Sequence, residues 1–317
     1  MTKHFSKIYI VHFFLFYSVS CQWLAIDDFS VRTWNEKNAN RSQLLKTFQV
    51  TNYPSTYTRG LENRIDTYTY DSLNENIYFI MEQPLYGISK FFKYNVKINE
   101  IDQTNYVHSF LIDQIQYNSR SNKLYSLIHN ETSGQYLIEV DTRTLEIKRY
   151  VTEINHGSSS MSGSYFDDDT QMFTYHAYNF AKEHTVLVTL DLSDNASKIV
   201  VNSKPFDFNV YGFGYMKSVG LIGLWQYSII TPMVCIKIQE ETGKQIQNIT
   251  ITPDHVKIAQ GYKPFAIDLN DRLFYVLSLA DDLSTIYISR IHMDTLKLDI
   301  SVIKGQILQD YFFFKTI

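Results

Sequence analysis

Two hairpin patterns recur five times in the same order along this chain, and no other feature restricts its fold so strongly. In the first, an aromatic or apolar residue is answered eight positions later by another. It occurs as Tyr70…Tyr78, Tyr117…Tyr125, Tyr165…Phe173, Phe213…Leu221 and Ile267…Tyr275. The second is an outer hairpin, often closed by an Asp or Thr-Gly turn: Phe91–Ile98, Leu137–Tyr150, Leu187–Val201, Val234–Ile251 and Ile288–Val302. Starts of the first pattern lie 47, 48, 48 and 54 residues apart. A unit of about 40–50 residues holding four short strands is the signature of a propeller blade. A two-sheet sandwich would be equally strand-rich, but it does not predict one ordered pair of hairpins repeated five times.

The repeat predicts five full blades at Asp66–Tyr106, Asp113–Val151, Met161–Val201, Asn209–Ile251 and Lys263–Ile303. The two ends are complementary. Phe29–Trp34 and Leu44–Val50 read as an outer hairpin with no inner strand, and Asp310–Phe314 as an inner strand with no outer hairpin. Joining them gives a sixth, composite blade and removes two exposed sheet edges. The expectation is an all-β, six-bladed propeller forming one domain over 22–317; seven blades is the alternative count. The 24 Tyr and 21 Phe against only 12 Gly and 6 Pro fit this, since aromatic side chains suit a pleated surface. The apolar stretch Val219–Ile238 is broken by Gln226 and Pro232 and aligns with a blade, so it reads as buried strands rather than a membrane span. His156–Gly163 is polar and serine-rich and reads as an inter-blade loop.

With Asp141-Thr-Arg-Thr-Leu145 as its outer turn and the aromatic eight-residue hairpins as its inner ones, the chain resembles the secreted β-propellers of the gluconolactonase-like, NHL-like and YVTN-like repeat type. The resemblance covers about residues 66–303 and is one of repeat type, not of a single family. It implies a propeller whose functional surface is the loop end. In gluconolactonase-like propellers it also implies a catalytic divalent ion held at the channel mouth by Glu, Asn and Asp.

The first 21 residues have the form of a secretory signal peptide: Lys3 and Lys7, the apolar run Ile8–Phe16, then Ser18, Ser20 and Cys21. Four sequons, at Asn40, Asn130, Asn195 and Asn248, are candidate N-glycosylation sites. Together they predict a secreted, extracellular glycoprotein with no transmembrane segment after the signal. Cleavage near Cys21 would leave Cys235, in the apolar run Met233–Ile238, as a buried strand residue. The formal charge of −4, made more negative by loss of two lysines, excludes a nucleic-acid footprint.

Aligned on the repeat, the position four residues before each inner reference residue is Asp66, Asp113, Met161, Asn209, Lys263 and, in the closing strand, Asp310. Asp66, Asp113, Asn209 and Asp310 are the candidate metal ligands. Oxygen donors of this kind suit Ca²⁺ or another hard divalent cation. The plain structural alternative is that each Asp ends a polar loop and binds local amides. Six of the seven His outside the signal, namely His108, His129, His156, His176, His184 and His255, fall near loops of the same end, and only His292 does not. They are candidates for the binding face, though no pair has a zinc-ligand spacing. Asp167-Asp-Asp169 reads as a solvated turn on the opposite face. No nucleophile–base set can be assembled from the sequence. The leading functional expectation is therefore an extracellular binding module for a protein or glycan. The alternatives are a metal-dependent lactonase or esterase at the channel mouth and a structural matrix or coat protein.

Overall fold

The computed structural model describes residues 23–26, 30–34, 43–49, 64–83, 87–130, 134–154, 158–179, 184–193, 200–206, 210–216, 220–225, 234–239, 244–251, 256–258, 265–268, 272–280, 285–304 and 312–315. Among these there is no helix, and the strands form six sheets. The N-terminal sheet holds β1 (Trp23–Ile26), β2 (Ser30–Trp34) and β3 (Gln43–Thr47). The next two are β4 (Arg64–Asp71), β5 (Asn76–Gln83), β6 (Ile88–Asn95), β7 (Glu100–Gln103), then β8 (Leu111–Asn118), β9 (Lys123–Asn130), β10 (Gly134–Val140), β11 (Ile147–Ile154). A fourth holds β12 (Ser158–Asp167), β13 (Met172–Asn179), β14 (His184–Asp191) and β15 (Val200–Phe206). The fifth is built from β16 (Val210–Met216), β17 (Gly220–Trp225), β18 (Val234–Gln239) and β19 (Lys244–Thr250). The sixth contains β20 (Val256–Ile258), β21 (Phe265–Asp268), β22 (Leu273–Ala280), β23 (Thr285–His292) and β24 (Leu298–Lys304). The last strand, β25 (Phe312–Lys315), returns to the first sheet, whose order is β25-β1-β2-β3.

The composite sheet is therefore present, with one correction. The N-terminus supplies three strands rather than a hairpin alone, because Trp23–Ile26 pairs antiparallel with both neighbours: Ile26 with Val31 and with Phe312. Two further expectations change. Ser158–Ser160, read as loop, pair with Asn179, Tyr178 and Ala177 as strand. The inner strand of the sixth sheet is split into β20 and β21, both paired to β22.

Local chemistry explains the hairpins. In three sheets the first turn opens with a side chain that accepts amide hydrogen bonds. Asp71 Oδ1 accepts from the amides of Leu73 and Asn74, both at 3.1 Å. Asn118 Oδ1 accepts from Ser121 at 3.0 Å, and Asp167 Oδ1 from Asp169 at 3.0 Å. The turns close with a left-handed residue at equivalent places: Glu75, Asn122, Gln171 and Arg272, with φ of 54, 51, 59 and 56°. A type I turn followed by one left-handed residue is a standard way to join antiparallel strands. In two outer hairpins that residue is apolar. Leu145 and Leu296 take φ of 60 and 53° and are buried. The left-handed backbone costs about 1–2 kcal/mol, and burying a leucine contributes about the same or more. This accounts for the hydrophobic residue that ends Asp141-Thr-Arg-Thr-Leu145.

Packing is face to face between successive sheets. Leu24, Ile26, Val31 and Phe48 of the composite sheet meet Ile77, Phe79, Met81, Phe92 and Tyr94 of the next. Tyr78, Ile80 and Phe91 then meet the β8–β11 sheet, and Tyr125, Leu127 and Leu137 meet the β12–β15 sheet. Ile222, Leu224 and Cys235 pack on Phe274, Val276 and Ile291. Along the inner edges β4 touches β8, β8 touches β12, β12 touches β16, and β21 touches β25. The architecture is that of an all-β propeller. As expected for Cys235, the residue is buried in strand β18, and burial pushes its thiol up to about 12.

Candidate functional site at the loop end of the sheets

The inner strands share a defect at one height. In β4 the register jumps from Ile65↔Met81 to Thr67↔Ile80, leaving Asp66 as an extra residue. In β8 it jumps from Ile112↔Ile128 to Gln114↔Leu127, leaving Asp113. β12 breaks between Ser160 and Ser164, and β16 between Val210 and Gly212. In the sixth sheet the same place opens into the gap between β20 and β21. A bulge bends its strand and re-aims side chains, and here a break falls near the start of β4, β8, β12 and β16. Asp66 and Asp113 thus occupy equivalent bulges in two strands that touch. In β16 the extra residue is Tyr211, two positions beyond Asn209. Asn209 and Asp310 lie outside the described residues, as do His156, His255, Asn40 and Asn195.

Below the bulges the inner strands are tied by amides. Gln116 Nε2 donates to the Ser164 carbonyl and hydroxyl at 2.8 and 2.9 Å. Asn118 Nδ2 donates to Gln171 Oε1 at 2.7 Å. The Tyr117 amide donates to the Thr69 hydroxyl at 3.1 Å. Gln114 is the next rung of this series toward the loops. It is 4 % exposed, and its Oε1 has no hydrogen-bond partner among the described residues. At the opposite end, Asp168 accepts from the Ser119 amide and hydroxyl at 3.0 and 2.5 Å. Of the acidic run at 167–169, one carboxylate therefore joins two sheets instead of facing water alone.

The connection between β7 and β8 is built as a rigid platform. His108 and Ser89 exchange backbone hydrogen bonds at 2.9 and 3.0 Å. The Ser89 hydroxyl donates to the Phe110 carbonyl at 2.6 Å, and the Thr104 amide to the Phe91 carbonyl at 3.0 Å. The His108 ring stacks on Phe110 at 4.9 Å and meets Phe91 edge-on at 5.6 Å. Its Nε2 is buried without a partner among the described residues, and burial drives its pKa down to about 4. Beside it Tyr106 is 62 % exposed. Short polar bonds and one aromatic stack thus hold a large amphipathic ring out into solvent.

The other histidines sit differently. His129, at the loop end of β9, has a buried Nδ1 with no partner among the described residues. His176, in β13, is fully buried and lies beneath the face rather than on it. Among the described residues no three His, Cys, Asp or Glu converge as a metal group. Asn248 is exposed on the outer strand β19, and Asn130 ends β9. Lys90 carries no signal in the sequence. It is fully buried opposite Met81, and burial lowers its ammonium to about 8.

No family model matches the sequence. No curated protein matches it either. Solved structures do match. A chain of a nidogen/laminin complex superposes with a TM-score of 0.60 at 6 % identity, over 94 % of this chain and 98 % of that one. TolB from Acinetobacter baumannii gives 0.59 at 7 % identity, over 93 % of this chain and 66 % of its own length. A Bacteroides uniformis protein provisionally named 6-phosphogluconolactonase gives 0.55 at 9 % identity, over 92 % and 99 %. At such identities the likeness is one of fold.

Proposed function

We propose that this chain is a secreted, N-glycosylated interaction module: a six-bladed propeller over 22–317 that engages an extracellular protein or glycan through its loop end. The observation that carries the reading is the 104–110 connection, where a pre-formed backbone holds Tyr106 outward at 62 % exposure. Rigid aromatic anchors dominate binding energy because they bury much area at little entropic cost. The count of six blades is supported by six sheets, four seams of which are packed cores while the other two are joined by inner-strand contact, with β25 returning to β1. A chain of similar fold was solved within a nidogen/laminin complex, which supports a protein partner for such a scaffold. Secretion is supported by the pattern of residues 1–21, and glycosylation by the exposure of the Asn248 sequon on β19.

The test uses the protein collected from the medium of a eukaryotic secretory host. Its N-terminus is expected near Gln22, and a glycosidase should shift its mass. Tyr106→Ala should leave the melting temperature unchanged, because the ring is mostly solvated. The same change should weaken capture of an extracellular protein or glycan about thirtyfold, as loss of a ~2 kcal/mol anchor does. Binding indifferent to Tyr106 would remove this platform from the site.

One observation favours a second reading, a metal-dependent lactonase or esterase: Asp66 and Asp113 fall at the same bulge of touching strands. A hard cation there would polarise a carbonyl, and a carboxylate would act as base. Titration of the purified protein with Ca²⁺ decides it. Stoichiometric binding that Asp66→Ala plus Asp113→Ala abolishes, together with ester or lactone turnover, supports the enzyme; no heat of binding discards it.

A further inference from the structure

Every sheet of this fold ends in an outer strand whose second edge has no partner among the described residues, and such edges invite pairing with another chain. Five of the six carry a device that discourages it. β7 is only four residues long. β3 is short and lies across a register break at Val31/Arg32. β11 is broken twice, at Leu137/Ile138 and Glu139/Val140, and carries the exposed Lys148 and Arg149. β15 contains Pro205, which has no amide hydrogen to give, next to Lys204. β19 is broken at Lys237/Ile238 and bears the sequon asparagine Asn248.

β24 is the exception. It pairs with β23 in seven consecutive residues, from Thr285↔Lys304 to Ile291↔Leu298, with no register break. Leu298, Ile300 and Val302 fall on one face by strand alternation. Leu298 packs against the seam with the preceding sheet. Ile300 and Val302 continue that row into solvent, 43 % and 54 % exposed. A long, straight, apolar edge is costly to leave bare.

We propose that β24 is a self-association edge: two copies of this chain pair antiparallel through it about a two-fold axis at Ser301. The strand is its own complement in that register. Ile300 of one copy falls opposite Val302 of the other, which extends the apolar row across the axis. Asp299 falls opposite position 303, and Lys304 opposite Leu298, so no two like charges meet. Opposed β-branched residues are favourable cross-strand pairs, and a closed two-fold contact uses up both edges, which stops further growth. One strand pair buries less than a standard interface, so the dimer is weak and concentration-dependent.

Sedimentation velocity of the full chain over a hundredfold range of concentration tests this. The sedimenting mass should rise from that of the glycosylated monomer toward twice that value. Ile300→Lys with Val302→Lys, both at exposed positions, should raise the dissociation constant at least tenfold. Hydrogen exchange on the unaltered protein, which does not depend on a variant folding, should show slower exchange within 298–304 at high concentration. A protein that stays monomeric across the range overturns the proposal. So does a dimer indifferent to the double substitution, or exchange in 298–304 that ignores concentration.

Discussion

A chain that stops at Tyr311 should melt on the order of 10 °C below the full chain. β25 is the innermost strand of the composite sheet, and β1 is joined to it through four residue pairs, Trp23↔Lys315 to Ile26↔Phe312. Its removal leaves β1 as a four-residue edge strand held only by β2. The backbone bonds lost contribute about 0.5–1.5 kcal/mol each. Leu24 and Ile26 add a greater loss, since they are 2 % and 0 % exposed and wedge into the seam with Ile77, Phe79 and Phe92. If β1 frays, each forfeits about 1.5–3 kcal/mol of burial. The sum is several kcal/mol, and one kcal/mol corresponds to about 2–4 °C in a domain of 150–250 residues. Thermal unfolding of the two chains measures the difference. A synthetic peptide spanning residues 310–317, added in excess, should restore part of it, since a ligand that binds only the folded state stabilises it by mass action. Equal melting of the two chains would mean that β25 contributes nothing to closure.

Closure of the ends is legible in the sequence because each end lacks what the other supplies. Less legible is the identity of the partner strand. Trp23–Ile26 is only four residues long and directly follows the signal-like segment, so despite the Asp27-Asp28 pair after it residue spacing points to the longer runs at 29–34 and 44–50. The hairpins are readable for a chemical reason: Asp71, Asn118, Asp167 and Asp141 each open a turn by accepting its amides. Residue counting locates Asp66 and Asp113 but cannot reveal why they matter. A bulge is a property of pairing between two strands, and a single strand's periodicity carries no trace of it. The same limit explains the β12–β15 and β16–β19 sheets, where residue spacing points to 165 and 213 although the ladder places Phe166 and Tyr215 in register with Tyr70 and Tyr117. Asp168 shows the limit again. Its partner, Ser119, lies 49 residues away, so local composition describes a wet acidic turn where the fold makes an inter-sheet bond. His108 stands out in the sequence by residue type alone, and what it does depends on Phe91, Phe110 and Ser89, which only the folded chain brings around it.

That histidine makes the protein sensitive to mild acid. Burial between Phe91 and Phe110 lowers its pKa from 6.5 to about 4. The unfolded chain therefore takes up a proton at higher pH than the folded one, and stability is present above pH 6.5 and lost as pH falls toward 4. Because the ring is partly exposed and water screens it, the loss over that window is about 2 kcal/mol. Carboxylates with depressed pKa also lose stability in acid. Glu139, bonded to Arg149 and Lys148, and Asp141, bonded to turn amides, start from 4.5 and 3.8 and move lower. Their contribution begins below about pH 5, so the interval from 6.5 to 5 separates histidines from carboxylates, and a substitution at His108 separates it from the other histidines. His108→Phe keeps the aromatic stack and removes the proton site. It should lessen the fall in melting temperature across that interval relative to the unaltered protein. The consequence reaches function because His108 anchors the loop that presents Tyr106. Protection of the His108 amide, bonded to Ser89, should fall between pH 6.5 and 5 once its exchange is referred to the intrinsic rate, which itself slows in acid, and capture of a partner through Tyr106 should weaken in parallel. In His108→Phe the protection of the amide at position 108 and the capture should become independent of pH. A wild-type protein whose stability is flat from 6.5 to 5 would show that the ring is solvated, and that the platform is held by Ser89 and Thr104 alone.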